Sequence, residues 1–500
     1  MKQLIDKLFN TKVSTSYMFI LFGVSALMLA GYFSYAWFTV QGVQQYSVVT
    51  GTLNGTVAIG TNSVAINGQG VITYTPTTDN DTITLTVTNT NHRTVKNSIY
   101  YYTLSDSSIE IGYTSDSSTT PTVEGVSVAS SKTLTYKIKI KNAKGKQIKI
   151  GSSMGLSNSN LTLPSGTTAF SLLSDPTGAE TLVAKANSED LDYNTATENQ
   201  KNQMWTFSHE STEQLGATTD YRYIGANPNN YVKFNDELWR IIGVFDVDDG
   251  TGKVEKRMKI VRNDSIGNYS WDNKNTSTGA DAYGKNNWPD ARLNYLLNSG
   301  HESETYGGSL YWNRKSGTCY AGSSNATTSC DFTSTGLTDA AKEMIGDAKW
   351  YLGGTASYTS SSNGLASHFY SYERGTTVYS GRSTNWTGKV GLIYPSDYGY
   401  ATSGSSSTTR ATCLAKELYN WDGASACYQN DWLFKSATYW SLSPYSSYSY
   451  RVFSVSYSGF VSNNDSYNAF GVWPVVHLKS TINITSGTGS STDPFILAQS

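Results

Sequence analysis

Over residues 43–184 apolar and polar side chains alternate with the period of a β-strand. Thr82-Ile83-Thr84-Leu85-Thr86-Val87-Thr88 puts Ile83, Leu85 and Val87 on one face. Tyr136, Ile138 and Ile140 alternate with Lys137, Lys139 and Lys141. After the turn Asn142-Ala143-Lys144-Gly145, Ile148 and Ile150 alternate with Gln147 and Lys149, which predicts a hairpin with one solvated basic face. The lysine stripe reads as strand protection rather than as a site for an acidic polymer. This region is expected to be a β-sandwich, Ig-like or jelly-roll-like, acting as a spacer or assembly module. A Gly-x-Ser-x-Gly string at Gly151–Gly155 lacks the helix that must follow a nucleophile elbow, so it is a chance match.

The pattern changes after residue 203. Tyr231–Phe234, a turn at Asn235-Asp236 and Leu238–Phe245 read as strand, turn and strand, with Met258–Val261 as the next strand. Asp246, Asp248, Asp249 and Gly250 are similar to a calcium loop, but the glutamate at its twelfth position is missing, and a hairpin turn explains the acids. Helices are predicted over Pro289–Leu297, with Leu293, Leu296 and Leu297 on one face and Gly300 beyond the end, and from the Thr338 cap to Trp350, with Ala341, Met344, Ile345 and Ala348 inward. A third is predicted over Thr412–Tyr419. Between the two patterns, residues 185–203 are polar and acidic with little to bury, and read as a linker. The expected organisation is therefore a segment 43–184, a linker 185–203 and a domain 204–500.

At the N-terminus, Lys2, Lys7 and Lys12 precede an uncharged apolar run from Tyr17 to Val40, and no charge follows until Asp79. The run exceeds the ~20 residues a bilayer-crossing helix needs. Residues 1–16 are expected as a cytoplasmic basic segment and 17–40 as a transmembrane anchor, giving a single-pass protein of the bacterial cell envelope with its bulk outside. The competing reading is a signal peptide cleaved after Ala36, at Ser34-Tyr35-Ala36, which would leave a secreted protein. The stretch GYFSYAWFT resembles the export segments of TasA-like and camelysin-like matrix proteins of Gram-positive bacteria. There is no LPxTG sorting motif, so attachment is expected from the N-terminal segment.

Export bears on the cysteines. Ten residues lie between Cys319 and Cys330 and thirteen between Cys413 and Cys427. Neither spacing suits a metal, and two local disulfides, Cys319–Cys330 and Cys413–Cys427, are the simplest of three pairings. Free buried thiols are the alternative.

Composition sharpens the division. Charged residues are 15% of the chain and the formal net charge is −2, which excludes a nucleic-acid binder working by bulk positive charge. The chain has 36 Tyr, 12 Trp and 44 Gly. Trp37 stands alone before residue 200, and the other 11 tryptophans fall between Trp205 and Trp473.

Two further motifs carry a resemblance. The strand ELWRIIGV near Leu238 and the closing GVWPVVHLK from Gly471 to Lys479 flank YWSLSP at Tyr439–Pro444 and an aromatic-rich stretch. In this order they resemble a surface-protein domain of gut Firmicutes that is similar to the formylglycine-generating-enzyme type of C-type lectin fold, shared by the variable proteins of diversity-generating retroelements. The resemblance spans Tyr231–Leu497 and implies an α+β, C-type lectin-like domain. The closing motif of the family commonly has Arg where this chain has Trp473, which puts the usual packing there in question.

Between Tyr445 and Asn468, 17 of 24 residues are Ser, Tyr, Asn or Asp. Tyrosine offers a large rigid contact area and Ser and Asn offer adaptable hydrogen bonds, the mixture found in antibody binding loops. The candidate ligand-binding residues are Tyr445, Tyr448, Tyr450, Tyr457, Asn463, Asn464, Asp465 and Tyr467. In the retroelement relatives, mutation of adenines turns Asn codons into Ser, Tyr or Asp, so the resemblance also implies diversification of this stretch.

Chemistry is sparsely signalled. His92, His209, His301, His368 and His477 are isolated in sequence, with no His-Glu-x-x-His pattern, and no carboxylate pair marks a glycosidase. The resemblance includes an oxidase with a reactive cysteine pair, but no cysteine lies in the closing strand region. No catalytic residue, metal or cofactor is expected. The expected function is that of a membrane-anchored receptor or adhesin for an extracellular protein or glycan. The alternative is a structural subunit of a matrix or envelope fibre.

Overall fold

The computed structural model describes residues 23–28, 53–173, 176–273 and 283–499. The chain folds as two compact units that divide between Asp175 and Pro176. It is mostly β-sheet, 38% strand and 14% helix, arranged in several sheets.

This corrects the expected fold class at two points. Residues 23–28 are helical, but among the described residues no helix is long and apolar enough to cross a membrane. The rest of the run 17–40, the basic segment 1–16 and the cleavage motif lie outside the described residues. The single-pass envelope placement is thus not supported. Second, the α+β, lectin-like class expected for 204–500 gives way to a multi-sheet β-unit with short helices.

The first unit is one continuous sheet. Its strands run in the order Thr167–Ala169, Val95–Tyr102, Ile148–Leu156, Gln69–Tyr74, Asn62–Asn67, Asn54–Ile59, Asn80–Asn89, Thr133–Lys141, Glu110–Tyr113 and Ser171–Leu172, with Val126–Val128 beside Val95–Tyr102. The alternating apolar positions decide its inner face. Ile83, Leu85, Val87, Tyr136, Ile138, Ile140, Ile148 and Ile150 are all buried in one core. The sheet folds over on itself: Tyr136 Oη donates to Asn97 Oδ1 at 3.0 Å, although their strands lie six places apart in the sheet order.

The predicted hairpin does not form. Thr133–Lys141 pairs with Asn80–Asn89 and Glu110–Tyr113, and Ile148–Leu156 pairs with Gln69–Tyr74 and Val95–Tyr102. The connection turns away because the Asn142 N–H donates to the Asp79 carbonyl at 2.7 Å and the Gly145 N–H to the Pro76 carbonyl at 2.9 Å. Alternation specified the buried faces, whereas long-range pairing chose the neighbours. Nor is the lysine face simply solvated: Lys139 is buried, Lys137 pairs with Asp116 and Lys141 with Glu110. Gly151 of the Gly-x-Ser-x-Gly string serves packing, since a Cβ there would lie 2.0 Å from the Tyr100 ring.

In the second unit the largest sheet orders Val390–Gly391, Val475–His477, Val254–Arg262, Glu237–Asp248, Tyr231–Phe234, Phe495–Gln499 and Ile482–Ser486. The pair Trp205–His209 and Thr218–Arg222 joins Glu237–Asp248 beyond a bulge between Ile241 and Gly243. A second sheet orders Asn268–Ser270, Ala469–Gly471, Tyr439–Pro444, Arg451–Val455 and Val461–Asp465. Residues 185–203 are not a linker. Thr197 caps the helix Glu198–Lys201, and Asn187 bridges to Trp205 within this unit.

Tryptophans fill this core, and several of their indole N–H groups bond backbone carbonyls. Trp271 donates to the Ser441 carbonyl at 3.1 Å, Trp440 to Tyr269 at 2.9 Å, and Trp432 to Tyr223 at 3.0 Å. Each thus buries a large apolar area while its N–H finds a backbone carbonyl.

The predicted helices are shorter than expected. Pro289–Leu297 resolves into a 3-10 turn Trp288–Asp290 and the helix Arg292–Leu297. The helix after Thr338 ends at Met344, because Ile345 bridges to Leu478 and Ala348–Tyr351 becomes a strand. Thr412–Tyr419 is replaced by Arg410–Leu414 and a 3-10 turn Leu418–Gly423. Both local disulfides are present, Cys319–Cys330 and Cys413–Cys427, with Cα separations of 5.9 and 5.5 Å. Such bonds persist in oxidising, extracellular surroundings.

Candidate functional site

The tyrosine-rich stretch forms a short loop and a hairpin at one edge of the second sheet. Arg451–Val455 pairs with Val461–Asp465 in the register Arg451↔Asp465 and Phe453↔Asn463. With period 2, Arg451, Asp465 and Asn463 share one face. Arg451 Nε donates to Asp465 Oδ1 at 2.9 Å and its Nη1 to Asn463 Oδ1 at 3.2 Å. The loop 445–450 closes through the Tyr445 N–H to the Arg451 carbonyl at 2.9 Å.

One buried side chain holds that loop. Asn286, 2% exposed, places Nδ2 3.1 Å from the Tyr445 carbonyl, 2.8 Å from Tyr448 and 2.9 Å from Arg451. Its own N–H donates to Ser449 O at 2.8 Å, and Arg382 Nη2 reaches the same carbonyl at 3.1 Å. An irregular loop needs such partners because no strand satisfies its carbonyls.

On this support the rings form a continuous array. Tyr445 stacks near Tyr448, with centroids 5.9 Å apart and planes at 18°. Tyr448 lies 5.8 Å from Tyr450, and Tyr283 lies 5.0 Å from Tyr450 and 6.0 Å from Tyr467. The Arg451 guanidinium sits over Tyr448 at 4.9 Å. Tyr358 joins from behind, 5.9 Å from Tyr445, and its hydroxyl accepts from Asn463 Nδ2 at 2.7 Å. Tyr467 Oη donates to Asp465 Oδ2 at 3.0 Å; burial, then this bond, raises its hydroxyl above the ordinary value. Tyr448 and Tyr283 remain 45% and 53% exposed, so the array faces solvent.

The structure thus brings together Tyr445, Tyr448, Tyr450, Asn463, Asp465 and Tyr467. Asn464 points to the opposite face, where Nδ2 donates to Ser454 Oγ at 2.8 Å. Tyr457 is set apart in the turn joining the two strands, a full strand length from Arg451, roughly 15 Å. Sequence reading missed Tyr283, Tyr358 and the supporting Asn286, which lie 93 to 168 positions before Arg451 by numbering and carry no local signal. Arg451 lay inside the stretch and could have been included as its lone cation.

A second cluster, buried, involves two of the isolated histidines. Arg222 bridges Asp397 and Asp220, each at 2.8 Å, and Lys259 meets Asp397 at 2.5 Å. Arg374 pairs with Glu373 at 3.0 Å, and Glu373 also accepts from the Ser396 N–H at 2.9 Å. His209 stacks on Tyr370 at 3.7 Å and meets Asp220 at 3.2 Å. Burial works to raise Asp397, but Lys259 and Arg222 outweigh it and hold the carboxyl well below the usual range. Burial, reinforced by Lys259 and Arg257, lowers His477, and burial lifts Glu373 to about 7. The cavity beside Lys259, Arg374 and His477 measures about 30 Å³, the scale of a water rather than a substrate. The cluster ties the strands Thr218–Arg222 and Val254–Arg262 to the helices Ala366–Glu373 and Pro395–Tyr400, and we assign it a structural role.

Trp473 donates Nε1–H to the Asn263 carbonyl at 3.2 Å and packs edge-on against Tyr439 at 5.2 Å. Among the described residues, no group of three or more His, Cys, Asp or Glu could hold a metal ion. Asp246 of the calcium-like loop instead pairs with Lys256 across the hairpin at 3.0 Å. No family model, no curated protein and no solved structure matches the chain.

Proposed function

We propose that the second unit is an extracellular ligand-binding module and that the tyrosine array is its binding face. The observation that carries this reading is convergence. Tyr283 and Tyr358, remote in sequence, complete the surface of Tyr445, Tyr448, Tyr450 and Tyr467 around the Arg451–Asp465 pair. Rigid aromatic rings around an arginine are the residue types that dominate protein-binding hot spots. Restraint of the loop by Asn286 reduces the ordering cost of binding. The ligand is an extracellular protein or glycan, and the mixture of Tyr, Ser and Asn favours a protein.

The full chain applied to arrays of extracellular proteins and glycans tests this. Replacement of Tyr448 or Tyr450 by Ala is expected to weaken the interaction found at least tenfold, whereas Tyr457→Ala leaves it unchanged. Absence of any ligand together with filament assembly by the chain would favour the fibre-subunit reading. Equal losses from Tyr448→Ala and Tyr457→Ala would move the binding face elsewhere.

A further inference from the structure

Beside the segment 185–203 lies an open groove of about 500 Å³, within the range of small-ligand sites. Its floor is apolar: Leu182, Met204 and Phe495 line it, and Tyr223 is only 2% exposed. Its rim is uncharged apart from Lys185, and is built of amides and hydroxyls.

Those amides are unspent. Asn202 is used by the fold, accepting from the Asn229 N–H and donating to the Glu198 carbonyl, both at 2.9 Å. The side-chain amides of Asn199, Gln203 and Asn229, by contrast, find no hydrogen-bond partner among the described residues, and neither does the Ser486 hydroxyl. Each primary amide offers two donors and a two-lone-pair acceptor. A hydroxyl that both donates and accepts is the group such an amide matches best. An apolar floor beneath a ring of amides suits a molecule with one C–H face and many hydroxyls.

The walls are firm. The helix Gly178–Val183 carries a full capping box between Thr177 and Glu180. It lies so close to the edge strand Ile482–Ser486 that a Cβ on Gly178 would sit 2.9 Å from the Ile482 carbonyl. The helix thus closes off the Ile482 end of that strand, and residues 484–488 continue as a wall of the groove.

We propose that this groove is a second binding site, distinct from the tyrosine array, and that it takes an uncharged oligosaccharide. Anionic polymers are disfavoured because a lone lysine is the groove's sole cation. Recognition rests on Gln203, Asn229 and Asn199 at the rim and on the half-buried Phe495 ring below.

The test is titration calorimetry of the full chain with malto-, cello-, manno- and chitohexaose, alongside an anionic oligogalacturonate and an unstructured peptide. At least one neutral hexasaccharide is expected to bind. The double variant Gln203→Ala/Asn229→Ala should weaken it tenfold or more, and Ser486→Trp, which fills the groove, should abolish it. Tyr448→Ala should leave it unchanged, which separates this site from the binding face proposed above. Each variant is checked for an unaltered melting temperature, and the Trp variant provides an exposed substitution that does not touch the core. The proposal is overturned if no neutral hexasaccharide binds. It is equally overturned if the peptide or the anionic oligomer binds more tightly, or if Tyr448→Ala removes the binding while the groove variants keep it.

Discussion

The two units bury polar groups in different ways. In the first, nearly every core residue is an aliphatic from an alternating strand, and the buried polar side chains are few: Asn89, Asn97, Ser98, Lys139, Ser152 and Ser153. A continuous ladder pairs most of the backbone, and only a few side chains, Asn89 and Asn97 among them, bond buried carbonyls there. The second unit has more irregular backbone, and it buries Arg222, Lys259, Glu373, Arg374, Asp397 and His477 together with eleven tryptophans in or against its cores. There Trp271, Trp432 and Asn286 bond carbonyls of bulged or looped backbone, and the charge cluster ties strands to helices. Where regular structure ends, polar side chains assume the role of the ladder, and the fold becomes sensitive to single polar substitutions.

The contrast is open to attack, first through the charge cluster. Asp397→Ala leaves Arg222 and Lys259 buried without their shared carboxylate, and should cost about 3–5 kcal/mol. Calorimetry of the full chain is expected to show the transition of the second unit falling while that of the first stays in place. A loss spread over both transitions would show that the units do not melt separately.

Glu373 gives a pH-dependent version. Its folded value of about 7 stands above the 4.5 of an ordinary glutamate, so the proton is held by the fold. The stability this contributes is fully present below about pH 4.5 and lost as pH rises through 7, a swing of about 3 kcal/mol. Gln cannot ionise. The melting temperature of Glu373→Gln relative to the parent should therefore climb between pH 5 and pH 8. A constant difference across that range would remove the titration from this residue.

The smallest effect belongs to the first unit. Tyr136→Phe deletes the hydroxyl that bonds Asn97 across the folded sheet. The expected loss is about 1–2 kcal/mol, since the Asn97 amide still bonds Ser152 Oγ at 2.7 Å and the Ser153 carbonyl at 3.0 Å. Chemical denaturation of the variant measures it. A loss as large as that of Asp397→Ala would erase the distinction between the units.

Strand faces were legible wherever polarity alternated, because burial on one side of a pleat requires it. Ile83, Leu85, Val87, Ile138 and Ile150 are buried as the pattern predicts. The disulfides were legible as well, since short spacing makes local closure geometrically easy. Pairing was not: Thr133–Lys141 and Ile148–Leu156 are adjacent in sequence, yet their partners lie elsewhere in the sheet. Helix ends were misjudged for a related reason. Ile345 and Ala348 continue a helical apolar period, but the bridge to Leu478 straightens the chain into a strand. Residues 185–203 resembled a linker because their polar side chains face a groove and solvent instead of a core.

By itself, then, the sequence determined which faces are apolar, where the tryptophans and cysteines concentrate, and that Tyr445–Asn468 is rich in binding-type residues, since these are local properties of the chain. Tertiary structure decided which tyrosines meet, why Asn464 and Tyr457 stand apart, and which amides around residue 200 are left with bonds to offer. Those outcomes depend on groups from ten positions apart, as Ser454 and Asn464, to 184, as Tyr283 and Tyr467, competing for the same few ångströms, and on which donors the backbone has already used.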